Sequence, residues 1–100
     1  MIIYSITFAI EPNIENEWVK HVQQEFIHHC MNLGQFSEYR FTKILDGQGL
    51  DLAYNLQFKA DNLHKVNHYV ENHSSTLESQ MHQKFPNSFA SFFTLLEEIK

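Results

Sequence analysis

Along residues 2 to 10, Ile2, Tyr4, Ile6, Phe8 and Ile10 fall on one side and Ile3, Ser5, Thr7 and Ala9 on the other. A period of two predicts a strand buried on one face. Pro12 ends it, and Asn13 is placed to cap a helix whose first turn carries Glu15 and Glu17, where the helix dipole favours anions. That helix runs to about Leu33 along an apolar stripe of Trp18, Val22, Phe26, Cys30 and Leu33, and Gly34 supplies a left-handed stop. Residues 36 to 45 hold the β-formers Phe36, Tyr39, Phe41, Thr42 and Ile44, but Glu38, Arg40 and Lys43 leave neither face apolar, which predicts an edge strand. Asp46-Gly47-Gln48-Gly49 has hairpin-turn chemistry. Beyond it, Leu50, Leu52, Tyr54, Leu56 and Phe58 alternate with Asp51, Ala53, Asn55, Gln57 and Lys59, the cleanest strand pattern in the chain. Asp61 is placed to cap a second helix with the stripe Leu63, Val66, Val70, Leu77, Met81 and Phe85, ending before Pro86. Ser88 to Ile99 predicts a last, Phe-rich strand with an acidic tail, with a helical turn over Leu95 to Lys100 as the alternative ending.

The order βαββαβ predicts an α+β, ferredoxin-like single domain over residues 1–100, a four-stranded antiparallel sheet with two helices on one face. Its other face is then bare. On the clearest strands that face shows Ile3, Ser5, Thr7, Ala9, Ala53, Asn55 and Gln57, short and semi-polar where a solvated face usually carries Lys and Glu. The pattern favours a homodimer through this open face, the alternative being a solvated face with few charges.

Composition supports a core and narrows the function. Of 100 residues 43% are hydrophobic, 14 are aromatic, and only three are Gly and two Pro. A chain of this size buries about 65% of its extended surface, enough to fold without crosslinks. The lone Cys30 excludes an intramolecular disulfide, a C-x-x-C pair and a four-Cys cluster, and fits a cytoplasmic protein. The apolar start has no basic leader and meets Glu11-Pro12 at once, so neither a signal peptide nor a membrane span is expected. A net charge of −5 without a basic run argues against nucleic acid. Seven histidines are many; protonating all of them would carry the charge to +2 and should weaken solubility or assembly at mildly acidic pH.

The opening MIIYSITFAIEPNIENEWVKH, the middle DLAYNLQFKAD and the closing FASFFTLLEEI resemble a small bacterial domain-of-unknown-function family running MIxYNVT, EWxxW, YAVQY and FxTLLEE. The likeness spans nearly the whole chain, and the matching positions are Tyr4, Glu17, Trp18, Tyr54, Gln57 and Thr94 to Glu98. It implies the dimeric α/β barrel type of fold, in which two ferredoxin-like sheets pack face to face. That group includes cofactor-independent monooxygenases, haem-degrading enzymes and isomerases. The resemblance assigns no activity, and the Asn, Trp and His set of the haem-degrading enzymes finds no register here, since Trp18 sits on the first helix.

No catalytic motif stands out: there is no G-x-S-x-G elbow, P-loop or G-x-G-x-x-G. His64 and His68 have the i, i+4 spacing of two metal ligands but face away from the apolar stripe and lack a third ligand, so no metal site and no cofactor is expected. His21, Glu25 and His28 share a helix flank, which reads first as a solvated ion pair and second as an oriented imidazole. Cys30 lies within the stripe and reads as a small hydrophobe. His29 and His73 project by periodicity towards the helix–sheet interface. If a ligand cleft lies there, Trp18, His29, Tyr69 and His73 are the polar-tipped side chains expected to line it. Two functions follow. The first is a cytoplasmic homodimeric binding or interaction module, with Trp18, Phe26 and Phe92 filling the cleft. The second is a cofactor-independent monooxygenase-like or isomerase-like enzyme acting on a hydrophobic small molecule, with His29 or His73 at the wall of a void.

Overall fold

A computed structural model describes residues 1–45 and 52–100. The Asp46-Gly47-Gln48-Gly49 turn lies outside the described residues. Four strands form one antiparallel sheet in the order β2-β3-β1-β4, with β1 Ile2–Ile10, β2 Glu38–Ile44, β3 Leu52–Ala60 and β4 Phe89–Glu97. β1 lies at the centre, with Tyr4 opposite Phe58 and Leu95, and Ile6 opposite Leu56 and Phe93. The alternation of β1 therefore passes to its neighbours, and the sheet has one apolar face. β2 is an edge, as its interrupted pattern predicts, and the last segment stays extended to Glu97 without a helical turn.

The first helix, α1, covers residues 15–32 as Glu15–His21, a π turn Val22–Phe26 and Ile27–Asn32. The second, α2, covers residues 63–84 as Leu63–Tyr69, a π turn Val70–Ser74 and Ser75–Lys84. The π turns have a reason in the sequence. Trp18, Val22, Phe26 and Cys30 recur every fourth residue, and in a helix of 3.6 residues per turn such a stripe drifts about 40° per step. One wider turn removes the drift, and all four side chains are buried. Val66, Val70, Leu77, Met81 and Phe85 straddle the π turn of α2 in the same way.

Several element ends differ from expectation. A 3-10 turn, Pro12–Ile14, precedes α1, so Asn13 lies inside that turn and gives no cap. Asn62, not Asp61, caps α2: its side chain accepts from the Lys65 backbone N–H at 3.0 Å, while Asp61 pairs with the Lys65 ammonium at 3.1 Å. Leu63, placed on the apolar stripe, is exposed. Gly34 ends α1 at φ +86°, as its position requires.

Trp18 of α1 packs on Phe8 and Tyr69 of α2 packs on Tyr4, and both β1 residues point to the same side, so both helices cover one face. The core has two aromatic ends. Phe8, Trp18, Phe41 and Tyr54 form one, and Tyr4, Phe36, Phe58 and Tyr69 the other.

Candidate functional site

The four residues expected around a helix–sheet cleft are not brought together. Trp18 (0% exposed) and Tyr69 (1%) sit in opposite aromatic ends of the core. His29 is exposed to solvent, correcting its assignment to the helix–sheet interface, and His73 is half-buried against Tyr69 and His68. The π turn explains His29. On an uninterrupted wheel it falls about 20° from Trp18, and the widened turn rotates it out while bringing Cys30 in. Trp18 and Phe26 fill the core as expected, but Phe92 is 65% exposed on the open face. His29 lines a small groove between the helices with His21, Glu25, Phe26, Leu77 and Gln80, about 110 Å³ and open to solvent.

Two polar groupings inside the helix–sheet layer were not anticipated. Glu15 accepts hydrogen bonds from the Tyr54 hydroxyl at 2.6 Å and the Lys43 ammonium at 2.9 Å. These donors hold its carboxyl below the ordinary carboxylate value. Burial first, then the bond to Glu15, pushes the Tyr54 phenol up to about 12. Deeper in, the Cys30 thiol lies 3.5 Å from the Tyr69 hydroxyl, and burial pushes that thiol up to about 11. Both Tyr4 and Tyr69 are held far above the usual phenol range, burial being the first cause. The Cys30 thiol and the Tyr4 and Tyr69 phenols are therefore neutral at physiological pH, as a small hydrophobe at Cys30 predicts. The Trp18 indole N–H is buried without a hydrogen-bond partner among the described residues.

The open face is more organised than its sequence indicates. Asn55 donates from one amide nitrogen to the Ser5 hydroxyl at 2.9 Å, and to the Ile6 carbonyl and the Thr7 hydroxyl at 3.3 Å. Ser5 is buried even without a covering layer. Beside this network lie Ile3, Ala9, Phe92 and Leu96. Towards β2 the face turns charged, and Ile3, Glu38, Tyr39, Arg40, Gln57, Lys59 and Glu98 line a depression of about 190 Å³. Lys59 pairs there with Glu98 at 3.2 Å and Glu38 at 3.8 Å. The other feature is β4, where Phe92, Phe93, Leu95 and Leu96 are all exposed. Its signal is legible in retrospect, since residues 89–96 contain no charge.

Among the described residues no group of three or more His, Cys, Asp and Glu side chains could hold an ion, and His64 and His68 are exposed. No helix there is long and apolar enough to cross a membrane.

The βαββαβ order, the β2-β3-β1-β4 sheet and the one-sided helices define a ferredoxin-like domain, a fold similar to that of an antibiotic biosynthesis monooxygenase at TM-score 0.68 and 11% identity, over 100% of each chain. Its sequence places it more narrowly: residues 1–99 match the model of the Domain of unknown function (DUF4286), and the chain belongs to that family. No curated protein matches it. Among solved structures it is similar to SnoaB, a cofactor-independent oxygenase from Streptomyces nogalater, at TM-score 0.74 and 9% identity, over 99% of this chain and 93% of that one. It is similar to the heme-degrader MhuD from Mycobacterium tuberculosis, which carries two hemes in its active site, at TM-score 0.74 and 10% identity, over 100% and 97%. An ethyl tert-butyl ether d (ethd) family protein from Bacillus halodurans matches at TM-score 0.70 and 11% identity, over 99% and 100%. At such identities the likeness is one of fold.

Proposed function

We propose that the protein is a cytoplasmic homodimeric binding module in which a second copy covers the open sheet face. The observation that carries this is the face itself: a satisfied Asn55–Ser5–Thr7 network flanked by Ile3, Ala9, Phe92 and Leu96, on the side of the sheet that no helix covers. Such a surface loses less on leaving water than a fully hydrated polar one, because Asn55, Ser5 and Thr7 already pair with one another and the β4 flank is apolar. Light scattering coupled to size exclusion at micromolar concentration should report more than one copy, and Phe92→Glu should lower the mass. A single copy in the unmodified protein refutes the reading.

A second reading is a cofactor-independent monooxygenase-like or isomerase-like enzyme acting on a hydrophobic small molecule between helices and sheet, with Trp18 as its contact. It is favoured by the unpartnered Trp18 indole N–H, a buried donor available to a ligand acceptor. Trp18 is the only tryptophan, so its fluorescence reports on that position alone. Titration with a hydrophobic quinone should quench it saturably in this reading, and an unchanged spectrum removes it.

A further inference from the structure

The two edges of the sheet are unlike. β2 carries Glu38, Arg40 and Lys43, the charges that keep an edge strand from pairing with another chain. β4 has nine residues, FASFFTLLE, with its only charge at the last position, and among the described residues no strand pairs with its outer side. Its hydrogen bonding can be assigned residue by residue. The Glu98 N–H donates to the Met1 carbonyl at 2.9 Å and the Glu11 N–H to the Ser88 carbonyl at 3.0 Å. In an antiparallel ladder the two kinds of pair alternate, so the even-numbered residues of β4 bond to β1. Phe89, Ser91, Phe93, Leu95 and Glu97 therefore turn their N–H and C=O groups outward.

From this we infer that the outer edge of β4 pairs antiparallel with the same edge of a second copy, across a two-fold axis at Phe93. The strand is self-complementary in that register. Phe93 meets its own counterpart, Ser91 meets Leu95 of the second copy, and Phe89 meets Glu97. All five outward residues find partners, giving about ten main-chain hydrogen bonds, with no like charges opposed. Side chains match by size as well, since Leu95 falls opposite Ser91 on the helix side and Leu96 opposite Ala90 on the other. Ser91 borders a groove between β4 and α2, about 390 Å³ and open to solvent, also lined by Ile6, Glu78, Phe92 and Phe93. That groove receives the Leu95 side chain of the second copy, and the exchange is reciprocal, as a two-fold contact requires. The result is a continuous eight-stranded sheet with the helices of both copies on one side.

This edge contact is separate from the face contact proposed above, and together they give four copies, two extended sheets stacked through their open faces. Ser91→Pro tests it, because proline removes an outward N–H that β1 does not use. The unmodified protein is expected at four copies by light scattering, and Ser91→Pro at two with unchanged circular dichroism. In the unmodified protein the Phe93 and Leu95 amides should exchange slowly with deuterium, although nothing among the described residues of their own chain bonds them. Leu95→Lys, which leaves the backbone alone, gives the same halving if Ser91→Pro fails to fold. A mass of two that neither variant changes, with fast exchange at Phe93 and Leu95, overturns the edge contact and leaves the face contact standing. A mass of two that falls to one in the variants supports the edge and overturns the face. A single copy throughout overturns both.

Discussion

Raising the pH attacks the core through groups that fold in the neutral state. Cys30 moves from an ordinary 9.0 to about 11 and Tyr54 from 10.0 to about 12, while Tyr4 and Tyr69 are raised further, burial leading in every case. A pKa raised by folding contributes stability that is complete below the unfolded value and is lost as pH rises through the folded one. The window therefore opens near pH 9 with Cys30 and closes above pH 12, where the tyrosines would ionise in the folded protein. At about 1.4 kcal/mol per unit, Cys30 alone contributes on the order of 2–3 kcal/mol. Tyr54, Tyr4 and Tyr69 act in the same direction, and the whole stability of such a domain is only about 5–15 kcal/mol. The protein should thus unfold cooperatively between about pH 10 and 12. Phenolate absorbance, Trp18 fluorescence and far-ultraviolet circular dichroism, followed together, should change in one transition for Tyr4, Tyr54 and Tyr69. If those three phenols ionise while the dichroism stays native, they are not held neutral by the core and the reasoning fails.

Three other outcomes follow from named contacts. Glu15 is held below the ordinary carboxylate value by the hydrogen bonds from Tyr54 and Lys43, so its stabilisation is present above about pH 4.5 and lost as pH falls through the folded value. Glu15→Gln should flatten the acid limb of a thermal-midpoint profile, and an unchanged limb would show that the bonds have no energetic weight. Gly34→Ala meets no atom within 4 Å, so its cost is the left-handed backbone alone, about 1–2 kcal/mol, or a drop of roughly 4–16 °C in midpoint. Light scattering from pH 7.5 to 5.5 should rise as acidification moves the net charge up from −5 towards zero; a flat trace removes that expectation.

The strands were readable because a period of two survives any tertiary detail: the even-numbered, helix-facing residues from Tyr4 to Ile10 and from Tyr54 to Ala60 are buried, and register follows from that alternation. Helix ends were less readable. A short polar residue before an apolar run identifies a cap only to within a position, and here Asn62 took the place of Asp61. The helix interiors held a signal that a standard wheel discards. A stripe repeating every fourth residue is close to helical, yet four repeats accumulate a drift that must be absorbed somewhere. Here a π turn absorbs it in each helix.

That discarded signal decides what the site can be. His29 and His73 were placed at the helix–sheet interface by a rotation of about 100° per residue carried through residues 22–26 and 70–74, where the helix turns more slowly. Corrected for the wider turn, the inward positions beyond residue 26 go to Ile27 and Cys30 and not to His29. The layer between helices and sheet is left with aromatic rings, a thiol and phenols that burial keeps neutral, a poor setting for acid–base chemistry at neutral pH. On the outside lie a face on which Asn55, Ser5 and Thr7 pair with one another and, among the described residues, an uncharged edge with a row of unpaired donors and acceptors. Those features call for a protein surface, and the symmetry of FASFFTLLE about Phe93 makes this chain's own β4 a complementary one.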